Sequence, residues 1–507
     1  MIARKSALIL VIEAANGILG YVSLFLVARY MAMPDYALGV VSFAYGLVSI
    51  YHLFANLGFQ NAHVKFISEG QDFKTCMGTY AVVKILLTGL MTLLLVSSLF
   101  FWQHILGRGF ESPEHESAVY VMLVYFILWS LSIIMKTTFQ ARKQTAKQQL
   151  PMLFETLGRV SATVYVIWAG LGPLALAWTY VIGEILVLSS LAYFFRGNTI
   201  GKPSWKMFKK YTVFAWPLAI VAASAIIMTN IDKVLIQLFW GATEGGKYFA
   251  IYRLSRFLDV ATMAIGVLLF PTISTLYAKS DMEGIKKLSY TAERYLSLII
   301  FPIVFGMIFL SKPVIHILLS NEFYPAIPIL QILPIFALFD ALERPYQMKL
   351  LGMNLPHFAR NRILIMVVLN VGLNLLLIPQ DIRVLGIDLF GLGAMGAAIA
   401  TVVAYGVGLI YTRWVVWRVS RITVNWRIML HGIAATVMGV IVYSLNEMVY
   451  PIARWYGLIV YGLLGLGLYL GILSLMQEFT RKDFDLFMDT LNIKKMVAYI
   501  RDEIGRK

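Results

Sequence analysis

Apolar stretches long enough to cross a bilayer recur from one end of this chain to the other, with little between them. A spanning helix needs about 20 predominantly apolar residues. Fourteen such stretches can be drawn by hydropathy, at 7–30, 38–61, 78–101, 118–140, 152–171, 173–195, 212–239, 248–276, 290–311, 324–350, 357–379, 389–417, 428–448 and 455–476. They occupy most of the 507 residues, so no sizeable extramembrane domain fits. Composition agrees: 59% of residues are hydrophobic and 14% charged, against about 45–50% and 25% in a soluble domain. Disorder, a secreted disulfide scaffold and an ordinary cytosolic enzyme are excluded. The single cysteine, Cys76, has no partner for an internal disulfide. The apolar run behind Arg4 and Lys5 continues to about Tyr30, too long for a cleaved signal, and reads as the first span.

Lysine and arginine concentrate in alternate loops. With the N-terminus inside, the inner segments are basic and the outer loops short and poor in charge, so both termini are predicted to be cytoplasmic in a multi-pass plasma-membrane protein. The net charge of +16 then faces anionic lipid, and no nucleic-acid partner is expected. The tail 477–507 alternates Phe479, Phe484, Phe487, Leu491, Met496, Ile500 and Ile504 with charges, the pattern of an amphipathic anchor on the inner surface.

A weak internal echo divides the chain. Arg29 to Ala37 and Phe239 to Gly246 are each a short outer turn with an acid, followed by a span opening on aromatic and small residues, and six helices separate them. Tandem repeats of this kind mark transporters. The expected organisation is an N-terminal lobe (1–195, six helices), a cytoplasmic linker (196–211), a C-terminal lobe (212–418, six helices), two added helices (419–476) and the tail (477–507). Pro217, Pro271, Pro334 and Pro345 lie in or near spans, where they free carbonyls and either permit bending or set static kinks.

Two motifs are decoys. Gly241 to Lys247 fits the first seven positions of a P-loop, but Tyr248 stands where a Ser or Thr would hold magnesium and no strand precedes it; a tight turn between helices is expected instead. Gly391-Leu-Gly393-Ala-Met-Gly396 spells a dinucleotide fingerprint without a βαβ context, and reads as close helix packing by small residues. The seven histidines form no metal or nucleophile constellation. No cofactor, metal or enzymatic activity is expected, and transport energy should come from an ion gradient, the membrane potential or the substrate gradient.

Four segments together resemble a known family. The first is Asn16 with Ala28-Arg29-Tyr30, Asp35-Tyr36 and Asn56-Leu57-Gly58-Phe59. The second is Asn230-Ile231-Asp232-Lys233 with Gly245-Gly246-Lys247-Tyr248 and Phe270-Pro271-Thr272-Ile273-Ser274. The third is Asn321-Glu322-Phe323 with Pro325-Ala326 and Leu330-Gln331-Ile332-Leu333. The last is Asn370 with Leu373-Asn374-Leu375, Ile378-Pro379 and Gly393 to Thr401. In order and at this spacing over about 400 residues, they are similar to the polysaccharide transporters, the oligosaccharide flippases of the multidrug/oligosaccharidyl-lipid/polysaccharide exporter superfamily. Ala37 replaces the usual glycine of the first turn, and the last two helices carry no matching motif. The resemblance implies an all-α polytopic fold of 14 transmembrane helices, with a MATE-like pair of six-helix lobes around a cavity plus two C-terminal helices. It also implies alternating access, a monomer among membrane lipids, and a lipid-linked oligosaccharide substrate on a polyprenyl phosphate or pyrophosphate carrier.

A charge at the centre of a span costs about 2.5–3.5 kcal/mol on insertion scales, so it faces a cavity or a partner. Arg253 and Arg256, three residues apart on one helix face, suit phosphate oxygens through their planar forks. Lys233 and Lys84 are further phosphate-binding candidates, each with snorkelling as its alternative. Asp232 and Asp259 are candidates for orienting the arginines; the alternative is an interhelical salt-bridge network. Glu13, Glu184, Asp340 and Glu343 are candidates for coupling to H+ or Na+, with pairing of the last two to Arg344 as the alternative. Trp178, Trp216 and Tyr252 are stacking candidates for sugars, against a simple packing role. Two other functions stay open: a MATE-type drug/cation antiporter, and a membrane glycosyltransferase or polymerase, which the short outer loops disfavour.

Overall fold

A computed structural model describes residues 2–382, 387–423, 425–481 and 483; for 2–7, 10, 259–268, 382 and 387 only the backbone is described. The described residues form eighteen α-helices. The first seven are α1 (Ile2–Tyr30), α2 (Pro34–Asn56), α3 (Phe59–Ser68), α4 (Phe73–Phe100), α5 (Pro113–Ala141), α6 (Thr145–Trp168) and α7 (Pro173–Phe195). After a linker come α8 (Trp205–Trp240), α9 (Ala242–Arg256), α10 (Asp259–Ala278), α11 (Met282–Phe309) and α12 (Ser311–Leu318). These are followed by α13 (Ile327–Ile332), α14 (Pro334–Gly352), α15 (Pro356–Leu377), α16 (Gly393–Ser420), α17 (Ile428–Met448) and α18 (Trp455–Leu475). The one hairpin among the described residues pairs Asp381–Ile382 with Ile387–Asp388.

Among the described residues, twelve segments are long and apolar enough to span a membrane. The other two of the fourteen expected positions are filled by α6 and by the α9–α10 pair. Both have charge to place: α6 carries Lys147, Glu155 and Arg159, and the fifteen residues of α9 carry Glu244, Lys247, Arg253 and Arg256. Three expected spans are interrupted. The 38–61 stretch breaks after Asn56, where Leu57 and Gly58 both take positive φ (35° and 76°) and α3 leaves at an angle. The 248–276 stretch breaks at Phe257-Leu258, directly after Arg256. The 324–350 stretch opens with a 3-10 turn and the short α13.

The helices pack as two lobes. Within the first, α6 lies on α1 and α7, and α5 on α2 and α7; within the second, α14 lies on α10, α11 and α16, and α15 on α16. α17 packs on α11 and α18, which attaches the added pair to the second lobe. The lobes meet chiefly where α2 lies against α8 and α9. A Cβ on Gly39 would sit 1.8 Å from the Ala242 carbonyl oxygen, and one on Gly246 would sit 1.7 Å from that of Asp35. The two turns of the internal echo therefore meet each other, and glycine at both lets the backbones touch. Gly246→Val is expected to lower thermal stability in detergent by at least the ~1–3 kcal/mol of an overpacked core, because backbone rather than a flexible side chain must give way; a melting temperature equal to wild type contradicts this crossing.

Both decoys behave as packing elements. Gly241 has φ +84° and turns α8 into α9, and a Cβ on Gly396 would lie 2.6 Å from the Leu377 carbonyl oxygen. At the opposite end, the buried His63 of α3 bonds Tyr211 Oη on α8 at 3.0 Å and Thr138 Oγ1 on α5 at 2.9 Å, and the Gly201 N–H of the linker donates to the Lys74 carbonyl on α4 at 3.0 Å.

Candidate functional site

α6 presents Glu155, Arg159 and Thr163 at intervals of four, so they form one stripe along a single face. Arg159 Nη1 lies 3.4 Å from Glu155 Oε1, and its guanidinium sits 4.9 Å from the centre of the Tyr180 ring on α7. α9 presents Phe249 and Arg253 with the same interval from the other lobe, and the Arg253 guanidinium lies 5.9 Å from the Phe249 ring centre. Between these stripes is a narrow pocket of about 30 Å³ walled by α1, α2, α6, α7 and α9. Arg159 and Arg253 both line it, with Ser23, Thr163, Thr179 and Tyr180 as its hydroxyl groups. On α1, Gly20 makes room: a Cβ there would come 3.3 Å from Arg253 Nη2. Tyr21 Oη donates to the Arg253 carbonyl at 2.9 Å, which ties α1 to α9. Two guanidinium groups, one from each lobe, thus share one interlobe pocket. A low-dielectric wall sharpens their attraction for an anion.

The other candidates are distributed differently from the sequence expectation. Arg256 Nη1 donates to Tyr252 Oη at 3.0 Å, on the aromatic stack of Tyr248, Tyr252 and Phe336 rather than in the pocket lining. Lys233 does not snorkel. It is 7% exposed, donates to Asn230 Oδ1 at 3.0 Å and is ringed by Tyr45, Phe249 and Tyr252 at 5.7–5.9 Å, because those ring faces and the amide supply partners inside the bundle. Lys84 is 1% exposed and donates to the Ala55 carbonyl at 2.7 Å; it neither snorkels nor lines this pocket. The Asp259 side chain lies outside the described residues.

Asp232 does not orient the arginines through its described contacts. It accepts from Asn374 Nδ2 at 2.5 Å, Tyr248 Oη at 2.7 Å and Thr401 Oγ1 at 3.0 Å, so one carboxylate knots α8 to α9, α15 and α16. Asn374 Nδ2 also donates to Asn370 Oδ1 at 3.1 Å, while Asn374 Oδ1 is buried without a hydrogen-bond partner among the described residues.

The acidic candidates separate into kinds. Asp340 pairs with Arg344 at 2.6 Å, the pairing the sequence offered as an alternative. Glu343 pairs instead with Arg362 at 3.2 Å and accepts from Thr412 Oγ1 at 3.1 Å. Glu184 is 2% exposed, and its Oε1 is buried without a hydrogen-bond partner among the described residues. Glu13 is exposed on α1. Trp178 and Trp216 are exposed and do not line the pocket, while Tyr252 is buried in its stack. Sequence reasoning passed over Arg159 and Arg362. The signal for Arg159 was the four-residue interval from Glu155 in a stretch too polar to need no cavity.

The segment after α18 is bound to α11 and α17. Arg294 Nε donates to Glu478 Oε1 at 2.7 Å, and Arg294 Nη1 and Nη2 donate to Asp483 at 2.8 and 2.9 Å. The remaining tail candidates from Phe484 onward lie outside the described residues. Bonds from Arg294, then from Thr480, hold the Asp483 carboxyl well below the usual carboxylate range. The released segment therefore takes up a proton more readily than the docked one. Docking is complete above the unfolded carboxylate value of about 3.9 and is lost as pH falls below it. A dye on the tail is expected to report release only below about pH 4 in wild type and already at neutral pH in Asp483→Asn.

A family profile described as "Polysaccharide biosynthesis protein" matches residues 26–328, from the end of α1 to the start of α13. The chain belongs to the polysaccharide biosynthesis protein family. This family member is 22% identical over 417 residues to the "Probable low-salt glycan biosynthesis flippase Agl15" of Haloferax volcanii, covering 81% of this chain and 82% of that one. Its fold is similar to that of the lipid II flippase MurJ in an inward closed conformation, with TM-score 0.73, 15% identity and coverage of 92% and 98% of the two chains. It is also similar to an inward-facing MATE multidrug transporter of the MOP superfamily, with TM-score 0.62, 15% identity and coverage of 80% and 100%. The polysaccharide biosynthesis family member thus has the two-lobed exporter fold that its sequence implied.

Proposed function

We propose that this protein is a flippase that carries a polyprenyl phosphate- or pyrophosphate-linked oligosaccharide from the cytoplasmic to the outer leaflet by alternating access, for cell-surface glycan synthesis. The observation that carries this reading is the interlobe pocket with Arg159 and Arg253 on opposite walls. A diphosphate needs cations on both sides, and it loses them together when the lobes part, which gives release on the far side. Hydroxyl and tyrosine groups around the arginines suit the sugars next to the phosphate. The glycan biosynthesis role named for the Haloferax relative supports the same reading.

On this reading the lobes are 1–195 and 212–418, with 196–211 as linker, 419–476 as accessory helices and 477–507 as tail; the basic loops support cytoplasmic termini in a plasma-membrane protein. On that assignment the outer end is closed by two contacts between lobes. Arg29 Nη1 donates to the carbonyls of His316 and Ile317 at the C-terminal end of α12 (2.9 and 3.1 Å). Glu111 accepts from the Ala242 N–H at the start of α9 at 2.8 Å. A cation thus meets a helix C-terminus and an anion a helix N-terminus, the favourable sign in each case.

For coupling to H+ or Na+, the geometry favours Asp232 and the buried Glu184 over the other acids named from sequence. Asp340 and Glu343 have arginine partners and Glu13 is exposed. The Asp232 carboxylate instead has three neutral donors, with oxygen atoms of Thr401, Tyr248, Asn370 and Asn374 around it. The deciding experiment is reconstitution into vesicles with defined diphosphate-linked oligosaccharides. Transbilayer movement of the glycan lipid, together with no uptake of organic cations, is the expected result. Cation uptake without lipid movement would assign the drug antiporter reading instead.

A further inference from the structure

A second pocket lies at the basic-loop end of the bundle, between α14 and the C-terminal end of α16, well separated in sequence and elements from the interlobe pocket. It has a volume of about 350 Å³, and its lining includes Tyr346, Arg413, Trp414, Trp417, Ile422 and Trp426. Its floor is a closed electrostatic unit. The Arg413 guanidinium lies 3.9 Å from the Tyr346 ring centre and pairs with the fully buried Glu293, which accepts from Tyr346 Oη at 2.5 Å. The floor is therefore neutral in charge, although Arg413 Nη1 has no hydrogen-bond partner among the described residues. The walls are apolar, with Trp414, Trp417 and Trp426 exposed at 48, 46 and 70%.

The rim has the opposite character. Arg418 and Arg421 are both exposed, and their guanidinium carbons lie 5.4 and 5.1 Å from the Trp414 and Trp417 ring centres. Among the described residues neither pairs with a carboxylate. Glu293 is engaged by Arg413, and Glu478 by Arg294 and Arg427. Two uncompensated cations thus stand at the mouth of an apolar slot whose tryptophans mark the headgroup level of a bilayer. A water-soluble anion would use the rim and leave the slot empty, and a neutral apolar ligand would use the slot and leave the rim unmatched.

We infer that this pocket binds a bilayer lipid with an anionic phosphate headgroup, its phosphate on Arg418 and Arg421 and its chains against Trp414, Trp417 and Trp426. Stacking holds both guanidinium planes at the rim, where a fork can bind a phosphate oxygen pair. The site is separate from substrate transport and fixes the inner end of α16 to the surrounding membrane.

The test uses the full-length protein in mild detergent, washed, then titrated with phosphatidylglycerol or phosphatidylcholine and weighed by native mass spectrometry. The native protein is expected to retain phosphatidylglycerol over phosphatidylcholine by about tenfold or more, as two interfacial arginines predict. In the Arg418→Gln, Arg421→Gln double variant the preference should vanish. A control with two exposed lysines on the same end neutralised, Lys206→Gln with Lys209→Gln, should keep it. Trp417→Ala with Trp426→Ala should lower retention of both lipids. Equal retention of the two lipids by native protein, an unchanged preference in the arginine double variant, or no retained lipid at all (as when the chain's own tail fills the slot) would each overturn the assignment.

Discussion

Neutralising both pocket arginines, Arg159→Gln with Arg253→Gln, is expected to slow transbilayer movement of a diphosphate-linked glycan lipid by about 100-fold or more. Each guanidinium–phosphate hydrogen bond to a charged group contributes about 1.5–3 kcal/mol, and each 1.4 kcal/mol is a factor of ten. The two groups stand on different lobes, on α6 and on α9, so each single variant should leave a weakened but one-sided grip. Arg253→Lys should fall between wild type and Arg253→Gln, since it keeps the charge and loses the fork. The measurement is the initial rate of glycan-lipid inversion in reconstituted vesicles, scaled to folded protein. A double variant within a factor of two of wild type would remove the phosphate-binding role of the pocket.

Removing Arg362 is expected to have the largest effect on stability. Glu343 is 1% exposed and Arg362 8% exposed at the side chain, and their atoms lie 3.2 Å apart. Arg344 cannot replace the lost cation, since it is bound to Asp340 at 2.6 Å. Arg362→Ala leaves a buried carboxylate with one hydroxyl donor, Thr412, and breaking such a pair costs about 3–5 kcal/mol. The double change Arg362→Met with Glu343→Gln removes the stranded charge and should recover much of the loss. Thermal unfolding in detergent measures both. A single variant that melts with wild type, or a double variant worse than the single, would contradict the pairing.

The spans were legible in the sequence because hydrophobic length is a local property, and the lobes because the two outer turns resemble each other. Helix breaks were legible only in part. The break at Leu57-Gly58 sits inside an apolar run that hides its glycine, and the one at Phe257-Leu258 has neither glycine nor proline to mark it. Arg253 was legible because a charge inside a span demands a reason. Arg159 was overlooked although Glu155 one turn before it marks a polar stripe, because only the packing of α6 on α1 and α7 turns that stripe toward a cavity. The partners of Asp232 could not be read at all. Asn374 and Thr401 are 142 and 169 residues further on, and no spacing rule relates them to α8. For Lys233 and Lys84, phosphate candidates with snorkelling as the alternative, the interior partners could not be read: a ring of aromatic faces or a free carbonyl inside the bundle lies nearer than the membrane surface.

On the proposed function, an anionic lipid headgroup enters between the lobes and is held there by guanidinium groups. The most direct measurement uses a diphosphate-linked glycan lipid with a photoreactive group beside the phosphate, crosslinked to the protein in vesicles and mapped by peptide mass spectrometry. Crosslinks are predicted on α6 around Thr163 and on α9 around Phe249, and they should disappear in Arg159→Gln with Arg253→Gln. Crosslinks confined to the lipid-facing sides of α4, α17 or α18, unchanged in that double variant, would contradict it.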